Sequence, residues 1–166
     1  MFDVFNAQRH CRACGTTWAP GQGAAIQTKL PVVNRMRGYG VGDAIETPSS
    51  TEDIWNSGYF SGCLEVERFD DLWILHHWIC SNHACQMDNA VLIHIRDGRV
   101  IEIESTPLDG DSLRRAHFID SEVTTAVLRR VYSREFPDAD AQEVGSTPWD
   151  ELFDDLCLGR DDEPEA

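Results

Sequence analysis

Apolar and polar side chains alternate through the middle of the chain in the way that is typical of β-strands with one buried face. The alternation is clearest at residues 64–68, and largely apolar runs follow at 72–79 and 91–95. Asp97-Gly98 lies between two such runs and favours a two-residue hairpin turn with positive φ at both positions. The pattern predicts a four-stranded antiparallel sheet over residues 61–68, 72–80, 90–96 and 99–105.

The period changes to that of helices after the predicted sheet. Apolar residues recur at helical spacing from Ser121 to Phe136, with Asp120 as a candidate N-cap and Pro137 after the last turn. A second helix is predicted over 148–158, where Thr147 and Asp150 resemble a capping box. We therefore expect an α+β fold, an antiparallel zinc-ribbon-like sheet with two C-terminal helices, and mostly loop at 31–58.

The second predicted helix is strongly amphipathic. Its apolar side carries Trp149, Leu152, Phe153, Leu156 and Cys157. Its other side carries Asp150, Glu151, Asp154 and Asp155. This acidic side is a candidate for contact with a partner, although the apolar stripe itself fits packing on the chain's own sheet.

Length and composition favour one domain over residues 1–158, followed by an acidic flexible tail at 159–166. A chain of 166 residues with 42% hydrophobic residues is long enough to bury a core of its own. The first residues lack the pattern of a signal peptide, and no stretch approaches the ~20 apolar residues of a membrane span. We predict a cytoplasmic protein that makes no membrane contact.

The net charge of −15 argues against nucleic acid or an anionic membrane as the main partner. The charge is uneven, because the N-terminal part is basic and the end of the chain is strongly acidic. The bases before residue 42 are Arg9, Arg12, Lys29, Arg35 and Arg37. With Trp18 and Tyr39 for base stacking they support nucleic-acid binding as an alternative, whereas the overall charge favours another protein with a basic surface.

Two short cysteine clusters supply ligands for one tetrahedral metal site. The first is Cys11-x₂-Cys14-Gly15, and the second is Cys80-x₄-Cys85. Tetrahedral thiolate sites select Zn²⁺, so we predict zinc bound by Cys11, Cys14, Cys80 and Cys85. His83 is an alternative to Cys85 at the fourth position.

The other cysteines, Cys63 and Cys157, fall on a predicted strand and on an apolar helix face. We expect them to be small core residues and not ligands. A reducing compartment favours thiols and metal ligands over disulfides for all of these cysteines.

A cysteine cluster that ends one strand and precedes a hairpin resembles the zinc-ribbon family. The resemblance covers Arg9 to about Gly15 and Leu72 to Glu104, and the runs at 26–29 and 39–43 are similar to those of uncharacterised phage and bacterial zinc-ribbon proteins. It implies a structural zinc held by two knuckles. The chain departs from the family in the long separation between Cys14 and Cys80, which requires an insertion.

These features predict a zinc-binding accessory or assembly protein that acts through protein–protein interaction. An acidic immunity or inhibitor protein, a nucleic-acid-binding module and a zinc-dependent hydrolase are the alternatives. The hydrolase is disfavoured because His76 and His77 are adjacent on a predicted strand, so their side chains point to opposite faces. His94 and His117 have no neighbouring ligand pattern.

Overall fold

The computed structural model describes residues 3–23, 25–30 and 36–159, which form a mixed α+β fold around a five-stranded sheet. The strand order in this sheet is β6-β10-β7-β8-β9. Its strands are β6 (Tyr59–Ser61), β7 (Asp71–Ile79), β8 (Asp88–Arg96), β9 (Arg99–Pro107) and β10 (Phe118–Asp120). The α+β class and the antiparallel strands agree with the sequence prediction.

Strands β7, β8 and β9 form an antiparallel meander. Leu75 lies opposite Leu92 in the first pair, and Ile93 lies opposite Ile103 in the second. The turn between β8 and β9 has φ of 50° at Asp97 and 70° at Gly98, as the dipeptide predicts. The meander is therefore the part of the predicted sheet that the structure confirms.

The predicted first strand, 61–68, is wrong. Only Ser61 of that range belongs to β6, and β6 pairs with β10 instead of with β7. Strand β10 occupies the place beside β7 and runs parallel to it. The alternating residues after Cys63 lie outside any strand, because a segment from far downstream fills the position that they were expected to take.

Five helices are described: α1 (Thr51–Asn56), α2 (Gly110–Arg114), α3 (Thr125–Glu135), α4 (Ala141–Ser146) and α5 (Trp149–Leu158). Helices α3 and α5 overlap the two predicted helices, but α2 and α4 also follow β9, so the arrangement of two C-terminal helices is not confirmed. Helix α3 begins later than expected, with Thr124 as its cap. Asp120 does not cap α3, because Asp120 ends β10 and the helix begins only after Thr124. The predicted capping box of α5 is also wrong, since the Thr147 hydroxyl donates to Glu143 O of α4.

The N-terminal part forms two small sheets at one side of the main sheet. One contains β1 (Val4–Phe5), β4 (Ile26–Gln27) and β5 (Gly38–Tyr39). The other is a hairpin of β2 (Arg9–His10) and β3 (Thr17–Trp18). The hairpin contacts β9, where the backbone N–H of His10 donates to Ser105 Oγ at 2.9 Å.

The main sheet separates two apolar cores, because successive residues of a strand point to opposite faces. On one face, Ile74 and Ile93 pack with N-terminal residues such as Phe5. On the other face, Leu75 and Leu92 pack with α3 and α5. The apolar stripe of α5 contributes the buried residues Leu152, Phe153 and Leu156 to this second core.

Cys63 and Cys157 form a disulfide across 94 residues of sequence. The expectation that both would be unpaired core thiols is therefore wrong. The Cα atoms are 6.1 Å apart, within the range that a disulfide spans. The bond joins the segment that follows β6 to the last turn of α5.

Of the predicted acidic tail, only Gly159 falls within the described residues, so the prediction for 160–166 lies outside them. Gly159 follows α5 with a φ of 80°, at the position where the predicted helix 148–158 ends. Within the described part of the chain, none of the helices combines the length and the apolar character that a membrane crossing requires.

Candidate metal centre

The first cysteine pair lies in the turn of the β2–β3 hairpin. The backbone N–H of Cys11 donates to Thr16 O at 2.9 Å and closes the turn. Gly15 follows the second cysteine with a φ of 76°, a conformation that glycine adopts without a steric penalty. This turn brings the sulfurs of Cys11 and Cys14 to one side.

The second pair lies in the connection between β7 and β8 and repeats this arrangement. The N–H of Cys80 donates to Met87 O at 2.9 Å, which closes the connection as the Cys11 bond closes the first turn. Gln86 follows the second cysteine and has a φ of 49°, so it occupies the conformation that Gly15 has in the first turn. Although its cysteines are further apart in sequence, the second turn therefore also has a residue with positive φ directly after its second cysteine.

The sulfurs of Cys11, Cys14, Cys80 and Cys85 all lie within 4.8 Å of one another and are positioned to hold a metal ion. Two separations are 3.7 Å, from Cys11 to Cys85, and 3.6 Å, from Cys14 to Cys80. A tetrahedron with metal–sulfur bonds of about 2.3 Å has edges of about 3.8 Å. The separations are too long for disulfide bonds and close to the edges of such a tetrahedron.

Each of the four sulfurs accepts a hydrogen bond from the backbone N–H two residues further along the chain. The donors are Ala13, Thr16, Asn82 and Met87, and Cys11 also accepts from the N–H of Cys14. Hydrogen bonds of this kind favour the thiolate, which is the form that binds a metal. In both turns these N–H groups therefore act in favour of the thiolate and against the effect of burial.

The pKa values of the thiols differ within the cluster. The pKa of Cys14 is lowered to about 6, first by a hydrogen bond with the Thr16 hydroxyl and then by the Thr16 N–H. Burial raises the pKa of Cys80 to about 12 against the opposing N–H of Asn82. Cys14 lies in the first turn and Cys80 in the second. The first turn therefore supplies a thiolate more readily than the second.

An aromatic and cationic layer packs beside the cluster. Trp18 and Trp78 meet edge to face with ring centroids 5.5 Å apart. The guanidinium of Arg9 lies 5.4 Å from the Trp78 ring centroid, in the range of a cation–π contact. Asn89 donates from Nδ2 to Cys11 Sγ at 3.6 Å. The four-sulfur cluster thus adjoins the apolar core to which Cys11, Trp78 and Cys80 belong.

His83 is exposed and stands outside the group of metal-ligand atoms that the described residues bring together. The arrangement therefore favours Cys85 over His83 at the fourth position.

His76 and His77 point to opposite faces of the sheet, as predicted. His76 contacts Asp120 and Tyr59, whereas His77 Nε2 lies 2.8 Å from Asp88 Oδ1.

A buried polar network that the sequence reasoning missed surrounds Asp120. Lys29 donates from Nζ to Asp120 Oδ1 at 2.6 Å, and His76 Nδ1 lies 3.4 Å from Asp120 Oδ2. His76 Nε2 is 3.1 Å from the hydroxyl of Tyr59. Nothing in the local pattern links these residues, which come from four different segments. They connect the N-terminal part to β6, β7 and β10.

The residues proposed for nucleic-acid binding are dispersed. Arg9 and Tyr39 are buried, and Lys29 is held by Asp120. Arg12 and Arg37 remain exposed, while Arg35 lies outside the described residues. The described part of this set does not form a continuous basic and aromatic surface.

Comparisons with protein-family models, with curated proteins and with solved structures gave no match to this chain.

Proposed function

We propose that this protein is an accessory or assembly module that binds another protein and that is held together by one structural zinc ion. The observation that carries the proposal is the four-sulfur cluster of Cys11, Cys14, Cys80 and Cys85. An all-thiolate tetrahedral set selects zinc among the common divalent ions. Four protein ligands fill a tetrahedral shell, so this set supports a structural role in preference to hydrolysis.

The position of the cluster also supports a structural role. It links a hairpin near the N-terminus to the end of the central sheet, and Cys14 and Cys80 are 66 residues apart in sequence. Apparent binding free energies of structural zinc reach roughly 10–16 kcal/mol in small zinc-binding units. Part of such an energy would hold the hairpin against β9.

The acidic face of α5 supports a protein partner with a basic surface. Leu152, Phe153 and Leu156 face the core, while Asp150, Glu151 and Asp154 are exposed. Asp155 is less available, because it accepts a hydrogen bond from the Tyr132 hydroxyl at 3.0 Å. A rigid helix with three outward carboxylates fits electrostatically steered association with a cationic surface. An immunity or inhibitor protein is one form that such a module takes.

Native mass spectrometry and elemental analysis test the zinc proposal. We expect one zinc per chain in the wild type and in a His83→Ala control, and loss of zinc in a Cys85→Ser variant. Removal of zinc by a chelator should lower the thermal midpoint and release the β2–β3 hairpin. A metal-free wild-type protein, or an unchanged thermal transition after complete removal, would refute a structural zinc.

A further inference from the structure

The four cysteines of the cluster differ in how far solvent reaches them. Cys11 and Cys80 are buried and expose 0% and 2% of their surface. Cys85 is half-buried, and Cys14 is exposed. Each turn therefore places one cysteine on the inner side of the cluster and one on its outer side, and Cys14 is the more open of the two outer residues.

The surroundings of Cys14 are open to solvent. Its neighbours in the first turn, Ala13 and Gly15, are both exposed. A Cβ atom placed on Gly15 would meet no atom of the surrounding structure within 4 Å. In contrast, Cys11 and Cys80 belong to the apolar core on the N-terminal face of the main sheet. A small reagent dissolved in water therefore reaches Cys14, whereas the core covers Cys11 and Cys80.

The exposed sulfur of Cys14 has a buried sulfur as its neighbour. Cys14 Sγ lies 3.6 Å from Cys80 Sγ, and the two residues come from different turns. A disulfide bond is about 2.05 Å long, so a closer approach of about 1.5 Å would join them. A product formed on Cys14 therefore has a second sulfur within reach on the inner side of the cluster.

We propose that Cys14 is a modification site, at which electrophiles and hydroperoxides react first with the cluster, and that a hydroperoxide joins Cys14 to Cys80 in a disulfide. The thiolate is the nucleophile in both reactions, and exposure selects Cys14 among the four sulfurs. The inference rests on the proposed function, because the metal-bound form of the cluster supplies these thiolates.

The reaction with hydrogen peroxide proceeds in two steps. In the first, Cys14 Sγ bonds to one peroxide oxygen, the O–O bond breaks, and the other oxygen leaves as hydroxide, so that Cys14 becomes a sulfenic acid. In the second, the Cys80 thiolate attacks the Cys14 sulfur, the S–O bond breaks, and a second hydroxide leaves. Two protons from the solvent convert both hydroxides into water. One peroxide is reduced by two electrons, and two thiolates are oxidised to one disulfide.

The disulfide would join the same two turns that the four-sulfur cluster joins. Only Cys11 and Cys85 would then remain as thiolates, and a structural zinc site needs four ligands. Oxidation should therefore release the metal while the β2–β3 hairpin stays covalently attached to the connection between β7 and β8.

The first test treats the folded protein, as purified, with N-ethylmaleimide and follows the adducts by peptide mass spectrometry. Cys14 should be alkylated about tenfold faster than Cys11 or Cys80, or more, because the core covers the latter two. The control is the same protein unfolded in guanidinium chloride with a chelator, in which the four cysteines should react at similar rates. Similar rates in the folded protein, or a first adduct on another cysteine, would overturn the modification site.

The second test adds one equivalent of hydrogen peroxide and maps new disulfides under non-reducing conditions. We expect a peptide that links Cys14 to Cys80 and the release of one zinc ion per linkage, measured with a chromophoric chelator. A first new disulfide between any other two cysteines of the cluster would overturn the pairing. Sulfinic acid on Cys14 without a disulfide would overturn it as well.

The zinc content of the untreated protein separates this inference from the proposed function. If the protein contains zinc but another cysteine reacts first, the modification site fails and the structural zinc stands. If the protein contains no zinc and Cys14 still reacts first and pairs with Cys80, the structural zinc fails and the modification site stands.

Discussion

Arg130 donates hydrogen bonds from Nε and Nη2 to the two carboxylate oxygens of Asp88, each at 2.9 Å. Asp88 is buried at the start of β8, three residues after Cys85, and also contacts His77. Burial alone would raise the pKa of Asp88, but the hydrogen bonds and charges of Arg130 and His77 hold it well below its usual range. Helix α3 is thereby bonded to β8, the strand that follows the second cysteine pair.

Arg130→Ala should destabilise the protein by about 1–3 kcal/mol, because it removes two hydrogen bonds from a buried carboxylate. Among the described residues, His77 and Arg134 are the contacts that this carboxylate would keep. Urea unfolding measures the change. Arg96→Ala is the control, since Arg96 is an exposed arginine on β8, the strand that carries Asp88. A surface substitution of this kind changes stability by about 0.5 kcal/mol or less. Equal effects of the two substitutions would contradict the role assigned to the Arg130–Asp88 pair.

The Asp120 network predicts a loss of stability in acid. Burial alone would raise the pKa of Asp120, but hydrogen bonds and charge from His76 and Lys29 outweigh it and lower the pKa to about 2. An unfolded aspartate has a pKa of about 3.9. The stabilisation by Asp120 is therefore fully present above about pH 5 and is lost as the pH falls towards 2.

Asp120→Asn tests this prediction in urea unfolding experiments between pH 7 and pH 2. The variant should be less stable than the wild type at pH 7, and the difference should shrink as the pH falls through this window. Asp150→Asn, at an exposed site, serves as the control. Metal content is measured at each pH, because thiolate sites release metal in acid. Parallel curves for wild type and Asp120→Asn would show that Asp120 does not cause the acid effect.

The disulfide should stabilise the fold without supporting the metal site. Cross-linking residues 94 apart removes chain entropy from the unfolded state, and the entropy model gives up to about 4–5 kcal/mol for such a loop. We expect Cys63→Ala/Cys157→Ala to lower the free energy of unfolding in urea while zinc content stays at the wild-type level. An unchanged free energy, or a loss of zinc, would each be inconsistent with this assignment.

The acidic face of α5 should govern the rate of association more than the stability. Replacing Asp150, Glu151 and Asp154 by their amides should slow association with a basic partner and flatten its dependence on salt. The control variant removes the same charge at exposed sites away from α5, namely Asp97, Glu102 and Asp138. Stopped-flow rates at low and high salt compare the variants; similar slowing in both would indicate a general effect of net charge.

Local patterns were sufficient for the elements whose partners are close in sequence. The β8–β9 hairpin depends on Asp97 and Gly98, and both have the positive φ that the dipeptide favours. The cysteine pairs were found in the same way, since each pair lies in a single turn. The proximity of the two cysteine pairs was also predictable, because a tetrahedral metal site needs four ligands and each pair supplies two.

Long-range pairing explains the errors. The alternation at 64–68 has the pattern of a strand, but β10 takes the place beside β7, and no local signal reports that competition. The same holds for Asp120, which was predicted as a helix cap but ends β10 and binds Lys29 across 91 residues. Helix α1 is a different case, because Ser50 accepts from Asp53 N–H and the capping signal was present in a stretch read as loop.

The sequence separation of the two cysteine pairs has a consequence for synthesis on the ribosome. Cys14 is translated 66 residues before Cys80, and Cys85 lies in the connection between β7 and β8. The four sulfurs can therefore come together only after residue 85 has been added. A chain truncated before Cys85 lacks the fourth ligand of the cluster.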